Sequence, residues 1–262
     1  MPRLHPRTTR PRAIGTAIAL TMGALIPGVV TSPASAASTS GTASGRAAAA
    51  SGATVSFTFD DGRTSQYLNA VPLLDAASMK GTFFIISDAL TWGPSYLTAG
   101  QVRALAAAGH EIGNHTQTHA DLSELSVSQV RAEFQKSQAK ISSVVGRTPL
   151  SCAYPYGATD PTVESVAAEF FRGCRSTDGG MNKRTTDRYR LRTYYVHTST
   201  TAAQIRAAVE RATADKAWLI LCYHGVGKVS SSDDVSRDTF ATHVQAVKAS
   251  GVKVRTVAQA LT

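Results

Sequence analysis

The stretch "TFDDG" ends in two adjacent carboxylates, Asp60 and Asp61, directly after the apolar run from Thr54 to Phe59. Neighbouring carboxylates repel each other, and their charged forms are costly to desolvate. A cation beside them removes both objections. His115 and His119, four residues apart in "HTQTH", are candidate partners for that cation. If the chain turns helical there, the two rings share a face with Cβ atoms about 5–6 Å apart. Standing alone, such a pair is more often incidental than functional. With an aspartate from a neighbouring strand end, it becomes a two-histidine, one-carboxylate set that leaves positions open for water and substrate. Asp61 or Asp60 supplies that carboxylate, and the other is free to act as a base.

The elements that must position these residues alternate along the chain. Short apolar segments at 54–59, 81–86, 110–115, 150–155, 173–177, 191–196 and 217–224 read as strands. Between them run helical periodicities: Val102, Leu105 and Ala106; Val127, Val130, Phe134, Ile141 and Val145; Ile205, Val209 and Ala212; Phe240, Val244 and Val247. Seven strands, each followed by a helix or long loop, predict a parallel α/β sheet. At this size a closed or nearly closed barrel is the first choice and a doubly wound open sheet the second. In such barrels the C-terminal strand ends converge on one mouth. Those ends carry Asp60 and Asp61, His115, Tyr156 and His224.

"FTFDDG", "GHEIGNHTQTH", "YPYG" and "LILCYH", in this order and at these intervals, resemble the polysaccharide deacetylases of carbohydrate esterase family 4, the NodB-like proteins. The resemblance covers residues 54–262. It implies a single-domain distorted (β/α)7 barrel. It also implies a divalent metal ion, usually zinc in the family, held by Asp61, His115 and His119. By the same resemblance Asp60 is the general base towards water, the Tyr156 backbone amide stabilises the oxyanion, and His224 is the acid that protonates the leaving amine. Two features depart from the family pattern. Where many members read Arg-Pro-Pro-Tyr, this chain reads Ala153-Tyr154-Pro155-Tyr156, so the arginine that orients the base is missing from its usual place. Arg192, or less favourably Arg190, is the expected substitute. The fourth motif, usually an acid that tunes the catalytic histidine, is replaced by "LRTYYVHTSTT".

Residues 1–36 read as a secretory signal peptide: four arginines, an apolar run broken by glycines and Pro27, then Ala34-Ser35-Ala36 as the cleavage site. Residues 37–53 contain only Ala, Ser, Thr, Gly and one Arg, the composition of a flexible linker. A secreted or wall-associated location without a stable membrane anchor is therefore expected. The formal charge of +9 falls to about +5 without the leader arginines. That suits loose association with anionic polymers. No basic run or aromatic-basic interleaving points to nucleic acid. Cys152, Cys174 and Cys222 are too few for a disulfide framework. They form either one bridge plus a buried thiol or three small buried residues.

Other polar residues have plainer readings. His110 is structural, His197 and His243 solvated, Asp178 off the site, and Asp233 with Asp234 a solvated loop. Gly62 and Gly113 serve tight backbone geometry near the site. Trp92 either stacks on a sugar ring or packs on its own barrel. The leading expectation is a monomeric, secreted, metal-dependent deacetylase of N-acetylated glycan: peptidoglycan, chitin-type polymer or exopolysaccharide. The alternatives are an O-deacetylase such as an acetylxylan esterase, or a catalytically impaired glycan-binding barrel.

Overall fold

The computed structural model describes residues 52–262. The expected signal peptide and all but the last two residues of the expected linker lie outside the described residues. Seven strands form a parallel ring in chain order: β1 (Thr54–Phe59), β2 (Thr82–Ile85), β3 (Glu111–Asn114), β4 (Ser151–Ala153), β5 (Gly173–Gly179), β6 (Leu191–Tyr195) and β7 (Trp218–Tyr223). β1 pairs with β7 along its whole length. It pairs with β2 only at Thr58 and Phe59, and that contact closes the barrel at the mouth end.

At the opposite end the ring is wedged apart by β8 (Lys253–Val254), which pairs with Thr54 and Val55. The short α7 (Val257–Ala260) then plugs the lumen. The amide of Val257 donates to Thr82 Oγ1 and that of Ala258 to Glu111 Oε2, so the buried Glu111 carboxylate is satisfied by the plug. β8 was not foreseen, because two residues carry no periodicity.

Period-two alternation divides the strands between two environments. Val55, Phe57, Phe59, Leu219, Leu221 and Tyr223 face outward into the main core, where Phe59 stacks on Phe83 at 4.7 Å and Phe240 meets Tyr223 edge-on at 5.0 Å. Phe84, Ala153, Leu191 and Ile220 form a separate apolar cluster in the lumen. Asp60, His115 and His224 continue the lumen-facing series of β1, β3 and β7 just beyond the last strand residues.

The helices form the outer layer: α1 (Val71–Ala76), α2 (Ala99–Ala107), α3 (Val127–Val145), α4 (Pro161–Ala167), α5 (Ala202–Asp215) and α6 (Arg237–Ala249). Thr98 with Gln101 and Thr201 with Gln204 make capping boxes that start α2 and α5, and Gly146 at φ 73° stops α3. Val130, Phe134 and Ile141 of α3 are buried as expected, whereas Val127 in its first turn is exposed.

Candidate metal centre and active site

Two consecutive left-handed residues, Asp61 at φ 73° and Gly62 at φ 68°, turn the chain sharply after β1. A left-handed non-glycine residue is costly and is kept where surrounding contacts fix it. Here the turn separates the two carboxylates. Asp61 Oδ1 lies 3.6 Å from His115 Nε2 and 3.5 Å from His119 Nε2, and one ligand atom from each residue falls within 4.8 Å of the others. Donors held at roughly 2.0–2.2 Å by a tetrahedral ion stand about 3.4 Å apart. The donor set and its spacing therefore fit a divalent cation.

The orientation of two of the three candidate ligands is enforced by hydrogen bonds. His115 Nδ1 donates to Ala153 O at 2.8 Å, which turns Nε2 towards Asp61. Arg63 places Nε and Nη2 on Asp61 Oδ2 at 3.1 and 3.0 Å, so Oδ1 alone faces the imidazoles. Burial pushes the Asp61 carboxyl up, but the hydrogen bond and charge of His115, with His224 and Arg63, hold it well below the usual range. Burial, reinforced by His115, pushes His119 down to about 4, leaving it neutral and able to ligate.

The segment from His115 to His119 is not helical. Thr116 and His119 are both left-handed, at φ 65° and 67°. The Thr116 amide donates to Asn114 Oδ1, the His119 amide to Thr116 Oγ1, and the amides of Gln117 and Thr118 to Glu133 Oε2 on α3. A pinned turn, and not a helix face, brings the rings to 4.9 Å.

Asp60 stands beside the triad and is not part of it. Its Oδ2 is paired with Arg175 Nη2, and lies 3.5 Å from Cys222 Sγ and 3.9 Å from His224 Nε2. Burial raises the Asp60 carboxyl, while Arg175, His115 and His224 outweigh that and hold it below the ordinary value. Its Oδ1 has no partner among the described residues.

Arg175 corrects the expectation placed on Arg192. Arg192 donates outward to Gly179 O, and Arg190 pairs with Asp178 at 2.8 Å, so neither serves Asp60. Arg175 is fully buried, bonds Ser176 O at 3.1 Å, and rests over the Phe84 ring at 5.6 Å. Phe84 has room there because residue 113 is glycine: a Cβ would stand 2.4 Å from its ring. The missed signal was the arginine inside the strand-like "GCRST", since an interior arginine is rare unless paired.

The mouth opens into a cleft of about 570 Å³ lined by Asp60, Asp61, Arg63, His115, His119, Tyr156, Tyr195, His197, His224 and Asp233 among others. Tyr156, at φ 60°, is 67% exposed, with its ring 4.7 Å from that of His119. Its amide has no acceptor among the described residues, whereas the flanking Tyr154 and Gly157 amides are bonded. A free N–H there can meet a developing oxyanion. The next residue is glycine by necessity, as a Cβ would stand 2.1 Å from Thr177 Oγ1.

Elsewhere, His110 is buried and accepts from the Gly81 amide. His243, expected to be solvated, is instead buried between Tyr223 and Thr200. Asp234 is also buried, accepting from Gly225, Ser230 and Ser231 as a loop latch. Trp92 is 48% exposed and held edge-on by Tyr96. Cys152 and Cys174 form a disulfide between β4 and β5, and Cys222 is free and buried.

A protein-family model described as polysaccharide deacetylase matches residues 47–170. A chitin deacetylase of Pestalotiopsis sp is 32% identical over 41% of this chain and 35% of its own length. A peptidoglycan-N-acetylglucosamine deacetylase of Listeria monocytogenes is 29% identical over 42% of this chain and 22% of its own length. The chain thus spans about a third or less of the length of these curated relatives. Among solved structures, a family 4 acetyl xylan esterase of Clostridium thermocellum, in complex with a cobalt ion, is 25% identical over 79% of this chain and 89% of that one, with a TM-score of 0.57. Residues 47–170 thus resemble polysaccharide deacetylases, and the fold is the distorted (β/α)7 barrel that the resemblance implies. The matched segment takes in Asp60, Asp61, His115, His119 and Tyr156, and stops before Arg175, Tyr195 and His224.

Proposed function

We propose that the protein is an exported, zinc-dependent deacetylase that hydrolyses acetamido groups of N-acetylated glycans such as chitin-type polymer or peptidoglycan. The observation that carries this reading is the division of labour between adjacent aspartates. Asp61 joins His115 and His119, while Arg175 holds Asp60 off the triad as an ionised, unligated base. The cation, when bound by that triad, supplies Lewis acidity towards water and the acyl oxygen.

The chain's own groups do the rest. Asp60 accepts the proton of the attacking water. The Tyr156 N–H receives the charge that develops on the acyl oxygen. His224 gives a proton to the departing nitrogen as the carbon–nitrogen bond breaks. The products are acetate and a free amino sugar. The chitin and peptidoglycan deacetylases among the relatives support the amide substrate. The likeness to an acetyl xylan esterase supports a second reading, removal of O-acetyl groups, which shares every step up to departure of the leaving group. The presence of all five expected side chains at one mouth speaks against an impaired binding barrel.

The test is acetate release by the zinc-loaded protein offered N-acetylglucosamine oligomers and acetylated xylan side by side. Release is expected to vanish on chelation and in Asp60→Asn. Preference for the xylan would move the assignment to the ester, and silence on both would overturn the reading.

A further inference from the structure

The β6–β7 wall of the cleft carries a column of three rings. Tyr195 pairs in register with Cys222, and the Val196 amide donates to Cys222 O at 3.0 Å. The Tyr195 side chain therefore faces the lumen on the same side as His224, which lies two residues beyond Cys222. The Tyr195 ring lies 5.3 Å from that of His224 and 4.9 Å from that of His197, and His197 Nδ1 stands 3.4 Å from Asp233 Oδ1. Tyr195 thus packs against two imidazole rings.

Its hydroxyl lies 3.4 Å from His224 Nε2. His224 Nδ1 is buried and has no partner among the described residues, so no carboxylate steadies the imidazole from behind. We propose that Tyr195 is the positioning residue that holds the His224 imidazole towards the leaving atom of the substrate, through its ring and its hydroxyl at Nε2. The proposal rests on the deacetylase reading above.

A phenol suits the task differently from a carboxylate. It shares one hydrogen bond with Nε2 in the resting site and can release that nitrogen to the substrate without adding charge. Burial, with Cys222, Asp233 and Asp60 around it, pushes the Tyr195 hydroxyl well up, so it keeps its own proton throughout. In the step itself, protonated His224 gives its Nε2 proton to the amide nitrogen of the collapsing adduct. The electron pair of the carbon–nitrogen bond goes to that nitrogen, acetate departs, and His224 is left neutral.

The distinguishing measurement compares leaving groups in the zinc-loaded full chain. An amine must be protonated to leave, whereas the 4-nitrophenolate of 4-nitrophenyl acetate leaves without a proton. Tyr195→Phe is expected to lower kcat on N-acetylglucosamine oligomers about 10- to 100-fold, within the range of a positioned acid. KM should stay within about twofold and turnover of 4-nitrophenyl acetate within about threefold, the small residue that uniform binding and geometry leave. His197→Ala, which removes the other ring packed against Tyr195, should show the same split at smaller amplitude, and it serves if Tyr195→Phe fails to fold. Equal losses on both substrates, or no loss on the oligomers, would overturn the positioning role and leave the deacetylase reading standing. A wild-type protein inactive on both would instead overturn the functional reading and this proposal with it.

Discussion

Arg175 on β5 reaches the Asp60 carboxylate beyond the end of β1, and both side chains are withdrawn from solvent. The pair spans 115 residues of sequence and joins strands that are not neighbours in the ring. Its support is equally distant: Phe84 of β2 lies beneath the guanidinium, in space left by Gly113 of β3. The charge that keeps Asp60 ionised is thus part of the lumen packing.

Removing one partner of a buried ion pair strands the other charge, at a cost of about 3–5 kcal/mol. Arg175→Met is therefore expected to lower unfolding free energy by about that amount, and to lower kcat at least as steeply as loss of a general base, about 100-fold or more. Denaturant titration and acetate-release kinetics read the two effects separately. The double variant Asp60→Asn with Arg175→Met should recover part of the stability and none of the activity. Additive stability losses would show that the two groups do not act as a pair.

Much of this site was legible because strand periodicity fixes which residues reach a barrel mouth. Asp60, Asp61, His115, Tyr156 and His224 all follow short apolar runs, and all line the cleft. What escaped depends on partners remote in sequence or on backbone signs that side chains do not announce. Nothing local in "GCRST" says that Arg175 meets Asp60. Nothing in "HTQTH" signals two left-handed residues, so a helix was the natural reading. His243 differs: it lies three residues from Phe240 on the same apolar face of α6, so the periodicity itself places it inside.

The Arg63 contact to Asp61 predicts an effect on metal binding that activity alone would not separate. Groups that orient a ligand typically govern about 10- to 100-fold in metal affinity. Arg63→Gln is expected to weaken zinc binding by about tenfold, measured by competition with a chromophoric chelator. His119→Ala should weaken it much more. Zinc should also raise the melting temperature of the wild-type protein in a concentration-dependent way, since a ligand of the native state stabilises by mass action. Unchanged affinity in Arg63→Gln would reduce that arginine to a surface contact.

The disulfide joins directly opposed residues of β4 and β5, next to Ala153, whose carbonyl orients His115, and Arg175. It closes a loop with a sequence separation of 22 residues. Cross-links over loops of this order contribute about 2–4 kcal/mol. Cys152→Ser with Cys174→Ser should lose stability in that range and lower kcat as the two strands loosen, whereas Cys222, buried beside Asp60, should resist thiol reagents until the protein unfolds. Rapid labelling of one thiol in the native wild-type protein would contradict this arrangement.

His243 predicts how stability depends on pH. Its Nε2–H donates to Thr200 O at 2.9 Å, and its Nδ1 accepts from the Tyr223 hydroxyl at 3.2 Å, so the neutral ring satisfies both contacts. Burial pushes its pKa below the ordinary 6.5. The unfolded chain then binds this proton at a higher pH than the folded one, and stability falls as pH drops below about 6.5, with a limiting slope of about 1.4 kcal/mol per pH unit for each such proton. His110, also pushed down by burial, acts in the same direction, while Asp60 and Asp61, held low, withdraw their contribution only in stronger acid. His243→Gln removes one titrating group and leaves the others untouched. Its stability deficit relative to wild type should be largest at pH 7 and shrink towards pH 5, as followed by urea unfolding at matched ionic strength. A deficit that stays constant across that window would mean that His243 enters and leaves the core with the same proton affinity, and that burial does not govern its charge.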